Sequence, residues 1–111
     1  MNDNDMVNDL ALKTSMLDTA IRKLGTRGSA YAEAERDYRC ALAKQILIER
    51  EKGTPVTIIG DICKGKKEIS ELRFKRDCAE VMYKSALEAI NSYKLQIRIM
   101  DAQIEREWHS A

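Results

Sequence analysis

Chemistry needs side chains that can exchange a proton, attack a bond or hold a metal, and this chain arranges few of them to do so. The acidic pairs Glu33 with Asp37 and Glu68 with Glu71 are spaced to share a helix face. Two carboxylates divide acid and base roles only where their surroundings drive their pKa values apart. Lys and Arg surround both pairs, so solvated ion pairs are the expectation. The three cysteines, Cys40, Cys63 and Cys78, are odd in number and form no C-x-x-C pair. They read as buried or half-buried reduced thiols. Zinc would need a fourth ligand, and the single histidine, His109, sits beside the C-terminus. Gly60 and Gly65 bracket Asp61-Ile62-Cys63-Lys64, but no Gly-Lys-Ser/Thr follows a strand-like run, so no phosphate loop is formed. There is no Ser/His/Asp set and no E-x-x-H metal signature. The expectation is a non-enzyme with no metal site and no cofactor.

What remains is an uneven distribution of charge. The 111 residues carry 19 Lys and Arg against 18 Asp and Glu, a balance that argues against a dedicated polyanion binder. Between Lys64 and Arg76, however, six cations (Lys64, Lys66, Lys67, Arg73, Lys75 and Arg76) face only Glu68 and Glu71. Arg50 and Lys52 should lie close by. The cluster reads either as the start of an ordinary soluble helix or, because positive charge there opposes the helix dipole, as a contact for nucleic-acid phosphates or an acidic protein surface. Beside it runs an apolar stretch in which Val56, Ile58, Ile59 and Ile62 would either plug the fold or meet a partner.

The elements that must position these residues are helical. One proline and five glycines stand among many Ala, Leu, Glu, Lys and Arg, which predicts an all-α protein. From Lys66 to Trp108 apolar residues repeat every seven: Ile69, Arg76, Tyr83, Ile90, Ile97 and Ile104 form one row. Leu72, Ala79, Ala86, Tyr93, Met100 and Glu107 form the other. The two rows make the seam of a coiled coil, along a helix of roughly 60 Å. Arg76 is the odd member; it could snorkel, pair with Glu35 or Glu49, or fix the register.

The first half repeats the pattern through Leu10, Leu17, Leu24, Tyr31 and Tyr38. A partner row runs through Ala20 or Ile21, Gly28, Ala34, and Ala41 or Leu42 to Ile48. The seven-residue phase survives Gly25-Thr26-Arg27-Gly28-Ser29, which favours one helix from about residue 8 to 52, weakened or kinked there. A true break near 25–29, with Ser29 capping a second helix, is the alternative. The small residues around it could also admit another backbone. Gly53 suits a left-handed cap and Pro55 forbids continuation. Residues 53–65 read as a connection with an extended entry and one helical turn around Ile58 to Cys63, capped by Thr57 or Asp61. Residues 1–7 read as a flexible acidic lead-in, and 8–111 as a single helical-hairpin domain. Two long stretches joined by a compact connection predict an antiparallel hairpin. Phe74, Val81, Leu87, Leu95 and Ile99, apolar but off the seam, predict a homo-oligomer, a dimeric four-helix assembly. The N-terminus lacks the basic-then-apolar order of a signal peptide and no run is apolar enough to span a bilayer, so a cytoplasmic protein without membrane contact is expected.

Several segments carry a resemblance: Tyr38-Arg39-Cys40-Ala41-Leu42-Ala43-Lys44, Gly53-Thr54-Pro55-Val56, Leu72-Arg73-Phe74-Lys75-Arg76-Asp77, Gln96-Ile97-Arg98 and Glu105-Arg106-Glu107-Trp108. In these the chain resembles small helical proteins encoded by phages and prophages of Gram-positive bacteria. The resemblance implies a phage accessory protein in a bacterial cytoplasm. Such a protein would act against host defence, as an anti-CRISPR protein does by binding a host or phage protein, or near DNA replication and recombination by binding nucleic acid. It carries over no active-site residue. The N-terminal third matches it least.

Overall fold

The computed structural model describes residues 3–110. Among them the chain forms three helices and no strand: α1 (Asp3–Glu51), α2 (Val56–Lys64) and α3 (Lys67–Ser110). No helix is long and apolar enough to cross a membrane among the described residues. α1 runs without interruption through Gly25 and Gly28, so no second helix is capped at Ser29. No neighbour lies near a Cβ built on Gly25, and one built on Gly28 would meet the Tyr83 ring at 3.5 Å. The glycines therefore admit no second backbone; Gly28 makes room for an aromatic edge.

α1 also starts earlier than the expected lead-in allows. Residues 3–7 are helical, and Met6 is buried. The reason is periodic: Met6 stands one heptad before Lys13 and two before Ala20, so it extends the seam. Negative charge in these first turns also suits the helix dipole. Residues 1, 2 and 111 of the expected lead-in and domain lie outside the described residues.

Two compact units are distinguishable. The first holds the described residues up to Thr26 and those from Lys84 onward; the second is Arg27–Tyr83. In the first, α1 and α3 run antiparallel. Met6 and Asp9 share a surface depression with Met100 and Gln103, and further along Lys13 Nζ lies 6.0 Å from the Tyr93 ring centroid. Met6, Ala20, Ala86 and Ile90 are its buried apolar side chains. Burying an isoleucine such as Ile90 contributes roughly 1.5–3 kcal/mol. In the second, α1 and α3 are again antiparallel. The Arg27 guanidinium donates to the Met82 carbonyl at 3.3 Å, the Tyr31 and Tyr83 rings lie 5.9 Å apart, and Arg76 meets Glu35. Its core is Ala34, Tyr38, Ile59, Cys63 and Ile69.

The α3 rows fall where the spacing puts them. Every member from Ile69 to Ile104 is buried or half-buried, and only Glu107 is exposed. On α1 the end of the partner row differs. Ile48 is 45% exposed, while Glu49 is only 4% exposed. The seam passes from Tyr38 through Ala41, Leu42 and Gln45 to Glu49, a helical step that turns Ile48 outward.

Candidate functional site

The expected functional residues all lie in the second unit. α1 stops in a Schellman turn: the Thr54 amide donates to the Glu49 carbonyl at 3.1 Å and the Gly53 amide to the Arg50 carbonyl at 3.0 Å. Gly53 has φ +83°, a conformation that a Cβ penalises. Pro55 then caps α2 from an extended backbone (φ −56°, ψ 134°), without a side-chain cap. Neither Thr57 nor Asp61 has the capping role, because the left-handed turn already delivers the chain into the conformation that proline holds. The expected single turn is in fact a nine-residue helix.

Glu49 organises this end. Its carboxylate accepts from the Thr54 hydroxyl at 2.8 Å and from Gln45 Nε2 at 3.2 Å. Lys66 Nζ lies 3.2 Å away and Lys52 Nζ 3.6 Å. The hydrogen bonds from Thr54 and then Lys66 lower its pKa from 4.5 to about 2, helped by the Lys52 charge and opposed by partial desolvation. The hydrogen bonds outweigh desolvation. One carboxylate thus ties the last turn of α1, the connection and the residue before α3. The sequence suggests Glu49 as part of a solvated last turn. The signal that places it inside is its position on the seam, one helical turn after Gln45.

The basic cluster divides. Lys52 and Lys66 belong to Glu49. Arg76 turns inward: it pairs with Glu35 at 3.4 Å and Asp77 at 2.8 Å, and its guanidinium carbon lies 4.6 Å from the Tyr38 ring centroid. Of its two expected partners it therefore takes Glu35, whose carboxyl is lowered mainly by the Arg39 hydrogen bond and further by both arginine charges. Arg50, Lys64, Lys67, Arg73 and Lys75 are exposed and make no ion pair among the described residues. The apolar set divides too. Ile59 and Cys63, one turn apart, are buried; Ile58 and Ile62 stand 45% and 37% exposed on another face, with Val56 more exposed still.

The other chemical candidates are unremarkable in their surroundings. Glu33 and Asp37 both reach Arg36, as solvated ion pairs do. Cys63 is fully buried, but Cys40 and Cys78 are exposed, against expectation, because both sit on the faces turned away from the seam. In the second unit, α2 thus offers an apolar ridge with free cations close by in the chain, and this suits contact with another molecule. Comparison with known proteins returns no matching family model, no matching curated protein and no matching solved structure.

Proposed function

We propose that this chain is a non-enzymatic accessory protein of the phage type, acting by protein–protein contact in a bacterial cytoplasm as an inhibitor of host defence in the manner of an anti-CRISPR protein. The carrying observation is the outer face of α2. Ile58 and Ile62 are presented to solvent by a helix whose other face is anchored, and a ridge held this way loses little conformational freedom on binding. The test is capture from lysate of a bacterial host, with and without nuclease. A specific host protein retained after nuclease supports the reading; recovery that vanishes with nuclease contradicts it.

A second reading is nucleic-acid binding in a replication or recombination module. It is favoured by Arg50, Lys64, Lys67, Arg73 and Lys75, exposed cations of the second unit that make no ion pair among the described residues. Binding of this kind would fall steeply with added salt. Both readings include self-association. Phe74 and Val81 in the second unit and Leu95 and Ile99 in the first are more than half exposed, the kind of surface a second copy would cover. Sedimentation velocity measures this directly: dimers at micromolar concentration support it, and monomers throughout contradict it.

A further inference from the structure

The first unit carries one face suited to a second copy of the chain, an inference that rests on the self-association included above. Its α1–α3 pair has two flanks that differ in charge. On one, Leu17 shares a groove with Asn91, Lys94, Ile97 and Arg98. On the other, Met6 and Asp9 share a depression with Met100 and Gln103, and Lys13 lies over the Tyr93 ring. Helical spacing extends this second flank. Leu12 and Met16 follow Asp9 by three and seven residues, and Ile99 and Gln96 precede Gln103 by four and seven. Leu12 is 57% exposed, Ile99 56% and Met16 38%.

On α3 the flank is a second seven-residue seam beside the one that meets α1. It runs through Ser85, Ala89, Ser92, Gln96, Ile99 and Gln103 without a charged member. The charged residues of that span, Glu88, Lys94, Arg98 and Asp101, all fall outside both seams. Gln96 Nε2 donates to the Ser92 hydroxyl at 2.9 Å, so two polar members satisfy one another. α1 covers one seam; a helix with two adjacent uncharged seams is built for two neighbours, as in a four-helix bundle.

The charge pattern selects the occupant. The interior of the flank holds one charge, Lys13, half-buried and placed over Tyr93. Lys23, seven residues after Met16, bounds it at one end, and Asp9 and Arg106 at the other. Nucleic acid and anionic lipid need a field of cations, which this flank lacks. A foreign protein would find little charge on it to steer or register the encounter. An uncharged interior with a charged rim is the composition of contacts between identical copies. From Ser85 to Gln103 the seam is roughly 27 Å long, and two helices side by side are about 20 Å wide. Such a face covers on the order of 500 Å² per copy, about 1,000 Å² in all, the size at which specific dimer contacts begin.

We propose that a second copy of this chain docks on the uncharged flank of the first unit, burying Leu12, Met16 and Ile99 between the two copies.

Sedimentation velocity across a concentration series tests this with the wild type, L12E/I99E on the flank, and I21E as the control. Ile21 is 48% exposed and stands one turn after Leu17, on the charged flank. Circular dichroism checks the helix content of each variant. The expected result is a wild-type dimer at micromolar concentration, a dissociation constant raised roughly tenfold or more by L12E/I99E, and no change with I21E. Added salt should leave the wild-type dimer intact, because no ion pair holds it. If L12E/I99E fails to fold, S92R decides: Ser92 is exposed at the middle of the seam, and the same loss of dimer is expected. Dimers as tight in the folded flank variants as in the wild type, equal loss with I21E, or dissociation by salt overturns the proposal and leaves self-association standing on another face. Wild-type monomers throughout overturn the self-association reading as well. Monomers that capture a host protein, with capture lost in L12E/I99E, overturn it in favour of a foreign partner.

Discussion

The two units set α1 against α3 by different means. In the first, Met6, Ala20, Ala86 and Ile90 are buried along an apolar seam, and a lysine, Lys13, lies over a tyrosine ring. In the second, the seam carries a buried carboxylate, Glu49, and a half-buried arginine, Arg76, each held by several partners. An apolar seam fixes which faces meet but says little about where a chain should turn. Charged groups bonded in one geometry do say so, since misplacing them leaves polar groups without partners. The turn lies where Glu49 makes its contacts.

Substitutions can break this contrast. The largest effect is expected from Ile90→Asp in the first unit, which buries a carboxylate with no partner in an apolar seam. It should cost roughly 3–5 kcal/mol and abolish the cooperative melt. A wild-type melt would show that Ile90 is not in the seam.

In the second unit, Glu49→Gln keeps the shape but removes the charge that holds Lys66 and Lys52. Because the folded pKa lies below the ordinary 4.5, the ionised carboxylate contributes stability at every pH above 4.5. That contribution is lost progressively as pH falls toward about 2. Urea midpoints measured across this range should fall for the wild type and fall less for Glu49→Gln, which should also be the less stable protein at neutral pH. Parallel profiles would remove Glu49 from its organising role.

A smaller loss is expected from Arg76→Gln, which gives up the Tyr38 contact and the Glu35 pair, about 1–2 kcal/mol by denaturant titration. The smallest effect has the opposite sign. Gly25→Ala, in the middle of α1 with open space around it, should stabilise by about 1 kcal/mol. A loss there would mean that Gly25 meets something on its open side.

This contrast also separates what the sequence makes legible from what it does not. The seven-residue rows placed Ile69 to Ile104 on the inner face of α3, and Gly53 with Pro55 marked the turn, because periodicity and backbone restriction are local properties. Three features escaped. Glu49 was hidden because a charged residue in a last turn is ordinarily solvated, and only its register brings it under Thr54 and Lys66. Lys52, Lys66 and Arg76 looked like part of one basic surface because sequence proximity counts charges without showing which are spent on internal partners. Ile58 and Ile59 could not be told apart, since assigning faces to α2 requires knowing which side the other helices cover.

The central claim is that α2 works through its outer face. The most direct measurement compares capture from nuclease-treated host lysate by three forms of the protein, with circular dichroism confirming equal helix content: wild type, I58S/I62S, and Leu95→Ser in the first unit. The same host protein is expected with wild type and Leu95→Ser, and its loss with I58S/I62S. Equal capture by I58S/I62S, or loss with Leu95→Ser alone, would contradict it.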